Sequence, residues 1–334
     1  MDKVITKAEL DECASFINHC RAEVGKRVVG QKEVVDGILT AIVAGGHVLL
    51  EGVPGLAKTL AVKTFAEVSG LEFKRIQFTP DLLPADLSGT LVFEQNSGKF
   101  NVRKGPIFTN LVLADEINRA PAKVQSALLE AMAENQVTIG ENTLKLPQPF
   151  FVLATQNPIE QEGTYNLPEA ELDRFLMKLI VQYPTPEEEI KIVKTLGKAQ
   201  EIPVKNIFDS EKLAKCKKAV EAITADDKIV AYIVSIVNVT RPDTEKLTDK
   251  KSNYHNDIQH YISFGASPRA GIALLQCSKV HALLEGRSFV LPEDVQAVAK
   301  PVLRHRLVLN YEASADEVTA DSLIQKILDL MPVP

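Results

Sequence analysis

Residues 46–59 read GHVLLEGVPGLAKT, and LAVKTFAEVSG follows at 60–70. His47–Glu51 is a short apolar run of the kind that forms a buried strand, and the segment after Thr59 has helical character. A strand, a glycine-rich turn and a helix in that order are the context a phosphate-binding loop requires. Amides exposed at a helix N-terminus can hold phosphate oxygens, and the helix dipole favours their charge. The candidate nucleotide-binding residues here are Gly52, Val53, Pro54, Gly55, Leu56, Ala57, Lys58, Thr59 and Leu60. Lys58 is placed to reach the β and γ phosphates, and the Thr59 hydroxyl to ligate Mg²⁺. The strict pattern has glycine where Ala57 stands. If that position needed positive φ, alanine would cost about 1–2 kcal/mol. An ordinary strand–turn–helix would give the same short pattern.

Four more apolar runs read as strands: Glu72–Phe78, Asn110–Asp115, Phe150–Thr155 and Lys178–Val181. Several are almost unbroken hydrophobic stretches. That fits strands covered on both faces, hence a parallel sheet flanked by helices such as 124–135. The run NLVLADEINRAP ends its strand in Asp115-Glu116. In open parallel sheets ligands sit at the carboxyl ends of strands. Asp115 is therefore a candidate Mg²⁺ ligand together with Thr59, and Glu116 a candidate base for the water that attacks a γ-phosphate. The plainer alternative is that the two acids cap the next helix. The strand FFVLATQNP delivers Thr155, Gln156 and Asn157 to the same edge, where an uncharged amide can orient water or sense phosphate. Two hairpins are expected as well, Leu91–Val102 turning at 96–98 and Val137–Leu146 turning at 140–142. Each is either a surface ornament or a projecting pore or partner loop. The Pro-rich stretch 79–89 reads either as an insert preceding the first hairpin or as a rigid connection into it.

The composition shifts at Tyr183-Pro184-Thr185-Pro186, where Thr185 and Glu188 form a capping box and Pro186 suits the first helical position. Ile190, Val193 and Leu196 recur at helical spacing, and Gly197 is placed to end that helix. Beyond it the chain reads as helices at about 210–222, 225–239, 268–284, 292–303 and 320–330, with 240–260 a polar, mobile loop. The expected domains are residues 1–183, α/β with an N-terminal helix and the two hairpins as insertions, and 184–334, all-helical.

The length of 334 residues suits two domains of about 150 each. The balance of 38 basic and 44 acidic residues, net −6, argues against a dedicated nucleic-acid coater or a binder of anionic membranes. Tryptophan is absent and aromatics are 6 %, which removes most stacking platforms. Four cysteines with no CxxC spacing point to a reduced, cytoplasmic setting. The six histidines form no HExxH, and His255 and His260 fall in the polar loop, so no structural metal site is expected. The first residues lack the apolar core of a signal peptide, and no apolar run approaches the roughly 20 residues of a membrane span.

Taken together, these motifs resemble the AAA+ ATPases and, within them, the MoxR family. GHVLLEGVPGLAKT (46–59) is similar to that family's Walker A, including the alanine before the lysine. LADEINRAP (113–121) resembles its Walker B, ATQNP (154–158) its sensor 1, GTYNLPEAELDRF (163–175) its arginine-finger segment and GASPRA (265–270) its sensor 2. VVGQ (28–31) resembles the segment that flanks the adenine, which brings in Val28, Val29 and Gly30. The similarity spans about residues 20–310 with the motifs in family order.

The resemblance implies an AAA+ P-loop NTPase fold. A five-stranded parallel sheet sandwiched by helices would be followed by a C-terminal all-helical lid. It implies ATP and Mg²⁺ as cofactors and Glu116, Asn157, Arg174 and Arg269 as catalytic residues. Arg174 would be a finger reaching a neighbouring subunit's nucleotide, and Arg269 a sensor on the γ-phosphate of its own subunit. The residue-level alternatives are a surface pairing of Arg174 with Asp173 or Glu171, and an ordinary N-terminal helix residue at Arg269. The family also implies a hexameric ring, a protein client remodelled or matured in a chaperone-like way, possible cofactor or metal insertion, and a von Willebrand factor A-type partner protein. The alternative of a related ring ATPase acting on nucleic acid, like the minichromosome-maintenance helicases, is disfavoured by the net acidity and the lack of an added DNA-binding module. A small-molecule phosphotransferase lacks an acceptor pocket in the sequence. A nucleotide-binding scaffold without turnover would not need the full set of hydrolytic groups.

Overall fold

The strand of the opening motif, β1 (Val48–Glu51), is buried along its apolar residues and lies inside a five-stranded sheet. The computed structural model describes residues 6–53, 56, 58–96, 98–158, 164–195, 198–207, 210–242 and 258–334. Its residues form two compact units. One is Asn18–Phe175 with Leu179–Glu211; the other is Lys212–Pro334 with Leu176–Lys178 and the residues up to Ile17.

The first unit carries α1 (Lys7–Gly25) in part, α2 (Lys32–Ala44), β1, α3 (Lys58–Ser69), β2 (Phe73–Gln77) and α4 (Pro84–Ser88). There follow the hairpin β3 (Gly89–Glu94) and β4 (Lys99–Lys104), then β5 (Leu111–Asp115) and α5 (Ala122–Glu134). A second hairpin, β6 (Gln136–Ile139) and β7 (Asn142–Lys145), precedes β8 (Phe151–Gln156), α6 (Glu169–Leu172), β9 (Met177–Ile180) and α7 (Pro186–Lys194). The sheet order is β2-β5-β8-β1-β9, and the β2–β5, β5–β8 and β8–β1 pairings are parallel. All five strands stand where the apolar runs placed them.

Burial explains the pattern. β5 is buried at every position and β8 at all but its last, so each presents apolar side chains to helices on both faces. Leu49, Ile76, Phe78, Val112, Leu128 and Phe175 meet in one core. Removing such a side chain by truncation to alanine typically costs 2–5 kcal/mol. β2 stands at one end of the strand order and is mostly exposed, with Ile76 buried and Lys74, Arg75 and Gln77 exposed. Register then does the positioning. Gln77 pairs with Asp115 and Glu51 with Gln156, so the carboxyl ends of these strands lie along one edge of the sheet.

Both expected hairpins form, with Ser97 outside the described residues. In the first, register puts Leu91 and Phe93 on the same face as Phe100 and Val102. The two rings pack at 5.2 Å between centroids, yet both are more than half exposed. The second hairpin touches the first at Gly140, where a Cβ would come within 2.6 Å of Leu91 Cδ1. The Thr185–Glu188 capping box at α7 is present in both directions. The helix ends earlier than expected, with Thr195 as its cap, and Leu196 and Gly197 lie outside the described residues. Its spaced apolar residues Ile190 and Val193 are exposed rather than packed.

The second unit contains α8 (Ser210–Ala222) from Lys212 on, α9 (Asp227–Val239), α10 (Pro268–Leu284), α11 (Pro292–Leu303), α12 (Tyr311–Ala315) and α13 (Ala320–Leu330). The expectation that this part is all-helical needs one correction. A short antiparallel pair, β10 (Ile262–Phe264) with β11 (Val308–Leu309), joins the helices, and Thr224 bridges Phe289. Strands of two or three residues have too little periodicity to be read from sequence. The unit is pinned at Asp294, whose fully buried carboxylate accepts two bonds from Arg287, one from His281 and one from the Leu291 amide. The expected mobile loop falls mostly on residues 243–257, outside the described residues, as does His255. All four cysteines are free thiols and buried. No helix among the described residues is long and apolar enough to cross a membrane.

Candidate active site

The loop after β1 begins with Gly52, and this position tolerates no side chain. A Cβ there would lie 2.9 Å from both Val181 Cβ and Val181 O. Val53 and Leu56 are half-buried, while Pro54, Gly55 and Ala57 lie outside the described residues, and with them the question of backbone strain at Ala57. α3 starts at Lys58 and has no acid in its first turn, so nothing on the helix itself opposes an anion at that end. Lys58 Nζ donates to Gly52 O at 2.6 Å, which holds the ammonium back over the loop. Thr59 and Leu60 follow, half-buried, in the same turn.

The acidic pair is built by two neighbouring strands. Thr155 on β8 is fully buried and works in both directions. Its hydroxyl donates to Asp115 Oδ1 at 2.6 Å and accepts from the Glu116 amide at 2.9 Å. Asp115 Oδ2 takes a fork from Arg75 on β2, with Nε at 3.0 Å and Nη2 at 2.5 Å. Glu116 Oε2 accepts from Gln77 Nε2 at 2.7 Å and from Arg119 Nη1 at 3.3 Å. The backbone of Glu116 is left-handed, at φ 57° and ψ 51°. It does not cap a long helix; it turns the chain into a single 3₁₀ turn, Ile117–Arg119. Charge-assisted bonds of this kind orient carboxylates firmly. The hard oxygen donors Thr59 and Asp115 fit Mg²⁺, which takes one or two carboxylates and completes its shell with phosphate oxygens and water.

The remaining expected residues fall into two groups. Asn157 is buried just past the end of β8, and its carbonyl accepts from Asn118 Nδ2 at 3.4 Å. Gln156 Nε2 bonds Glu51 Oε2 at the same edge. The structure thus brings Asp115, Glu116, Gln156 and Asn157 together with β1 and β2. Val28 is buried, Val29 is half-buried, and Gly30 adopts φ 75°, with Glu188 Oε2 2.7 Å from where a Cβ would stand. Arg174 is exposed on the first unit and donates Nη1 to Leu129 O at 2.7 Å; it is not held among the strand-end residues. Arg269 belongs to the second unit, exposed at the N-terminus of α10, where Ser267 Oγ accepts its amide at 3.1 Å.

Residues 47–177 match the model of the ATPase family associated with various cellular activities, and residues 255–327 match the AAA lid domain. The "Chaperone MoxR1" of Mycobacterium tuberculosis is 47 % identical over 312 residues, covering 93 % of this chain and 81 % of the relative. The chain belongs to the MoxR family of AAA+ ATPases. "Protein MoxR" of Methylorubrum extorquens is 31 % identical over 93 % of each chain. A crystal structure from Cytophaga hutchinsonii, described as that of a proposed ATPase, superposes with TM-score 0.87 at 45 % identity, covering 98 % of this chain and 97 % of the other.

In this MoxR-family chain the reading from sequence missed Arg75 and Gln77. Their signal was present: in EFKRIQF the two polar residues stand two apart, on one face of a strand, opposite the buried Ile76. Only the register of β2 on β5 tells which residues that face meets. Thr155 was named only as part of the strand end, and its bridging of Asp115 and Glu116 is likewise tertiary information.

Proposed function

We propose that the chain binds ATP at the β1–α3 loop and hydrolyses it to remodel or mature a client protein or complex. The observation that carries this reading is the Thr155-bridged Asp115–Glu116 pair at the strand edge, beside a loop whose lysine is already turned inward. Gly52–Leu60 would cradle the phosphates, with Lys58 on the β and γ oxygens, and Val28, Val29 and Gly30 would flank the base. Thr59 and Asp115 would hold Mg²⁺, which supplies charge neutralisation at the β and γ phosphates. Glu116, held by Gln77, accepts the proton of the attacking water. Asn157 orients that water or senses the γ-phosphate. Arg269 keeps the sensor role that the resemblance implies, and its place in a helix first turn without acids favours an anionic ligand.

Arg174, exposed and bonded to Leu129 O, would be a finger acting on a neighbouring subunit in a homo-oligomeric, hexameric ring. The face that carries the exposed Leu91, Phe93 and Phe100, with Val102 half-buried beside them, is a surface suited to the client or to a von Willebrand factor A-type partner. The domain seam of this reading lies at 183/184, and its setting is the cytoplasm.

The test is Glu116→Gln. ATP affinity, read by equilibrium titration, is expected to stay near wild type, while turnover falls by roughly 10²–10⁴-fold, the usual range for loss of a general base. Unchanged turnover would assign the base elsewhere.

A further inference from the structure

Arg75 has no part in the roles described above, yet it makes a close contact with the acidic pair. It projects from β2, which among the described residues has a sheet neighbour, β5, on one side only. Its guanidinium places two N–H groups on one oxygen, Asp115 Oδ2, at 3.0 and 2.5 Å, while Thr155 occupies Oδ1. Its Nη2 also donates to Gln77 Oε1 at 3.0 Å, and the Gln77 amide continues to Glu116. The Asp115 side chain is 10 % exposed, so its charge needs a partner in the fold; the Arg75 side chain is 44 % exposed, so it has room to leave.

A divalent cation on Asp115 changes this balance. Mg²⁺ demands close, near-octahedral oxygen ligation and would draw on the same carboxylate charge. A guanidinium already forked onto Oδ2 then becomes a second cation within a few ångströms, in a partly buried site where repulsion is poorly screened. We propose that Arg75 is a positioning residue that stands in for the divalent cation on Asp115 and is exchanged off that carboxylate when the cation binds. The proposal rests on the reading of Asp115 as a cation ligand. A merely structural Arg75, holding Asp115 in place for the metal, makes the opposite prediction.

The experiment titrates Mn²⁺ into the full chain at saturating ADP and reads free Mn²⁺ by electron paramagnetic resonance. Arg75→Gln is expected to bind Mn²⁺ about tenfold more tightly than wild type. Arg75→Lys, which keeps the charge but loses the fork, is expected to fall between the two. An Arg75→Gln affinity equal to or weaker than wild type overturns the proposal. Asp115→Asn separates the premise from the proposal: its Mn²⁺ affinity is expected to drop at least tenfold, and wild-type affinity there would refute the role of Asp115 itself. If Arg75→Gln does not fold, wild-type protein still decides. The Arg75 Nε–H, followed by ¹⁵N nuclear magnetic resonance, is expected to lose its protection from hydrogen exchange when Mg²⁺ joins the ADP complex. Retained protection overturns the exchange.

Discussion

Thr155 shows how much a single hydroxyl can settle. It sits between the two carboxyl-bearing residues, donating to Asp115 and accepting from the Glu116 backbone, with no exposure to water. Thr155→Val keeps the shape and removes both bonds, leaving a buried amide and a buried carboxylate oxygen short of a partner. Each such loss costs about 1–3 kcal/mol. The substitution is expected to lower unfolding stability by that order in urea, and to lower turnover as well, because the aim of Glu116 depends on its own backbone. At this scale the sequence was legible where chemistry is local. Lys58, Thr59, Asp115 and Glu116 announce themselves by their positions after apolar runs. Arg75 and Gln77 did not, because a charged residue on a strand looks like solvent-facing decoration until its neighbour strand is known.

The elements were legible wherever hydrophobic periodicity or a cap was strong. Five strands and the longer helices from α5 onward were read close to their observed ends, whereas α1 and α2 were given no bounds, and Thr185, Pro186 and Ser267 mark helix starts in the structure as they do in the sequence. What escaped was short or tertiary: the β10–β11 pair, and the exposure of Ile190 and Val193 on α7, whose spacing alone suggested a packed face. The start of α11 carries a testable consequence. Burial on its own would raise the Asp294 carboxyl, but bonds from Arg287, His281 and the Leu291 amide override it and hold the group well below the usual carboxylate range. A depressed folded value means that its stabilisation is present above the unfolded value, about 3.9, and is lost as pH falls through the folded one. Asp294→Asn is therefore expected to destabilise the helical unit by about 3–5 kcal/mol near neutral pH. It should also flatten the acid limb of a stability-versus-pH curve measured by denaturant. An acid limb as steep as that of wild type would assign the pH response to other groups.

For the whole molecule, the proposed ring makes catalysis a property of pairs of subunits. Arg174→Ala is expected to keep ATP binding and lose most turnover, since an arginine finger can be worth 10³–10⁵ in rate. Glu116→Gln loses turnover for a different reason. Mixing the two inactive proteins should restore part of the activity, because some interfaces then combine an intact finger with an intact base. No recovery at any mixing ratio would count against a finger acting between subunits. The net charge of −6 gains meaning at this scale too: the cations that the proposed chemistry uses are a few placed ones, Lys58, Arg75, Arg174 and Arg269, in a chain with more acids than bases.

The left-handed backbone at Glu116 sets fold and activity against each other under selection. A residue with a Cβ is held there at about 1–2 kcal/mol above what glycine would need. The exposed bonds of its carboxylate to Gln77 and Arg119 are worth less than that, so Glu116→Gly should melt higher than wild type in calorimetry while its turnover falls at least as far as that of Glu116→Gln. A library sorted for heat resistance alone would enrich that dead variant, and a lineage freed from the need for hydrolysis would be expected to drift toward it.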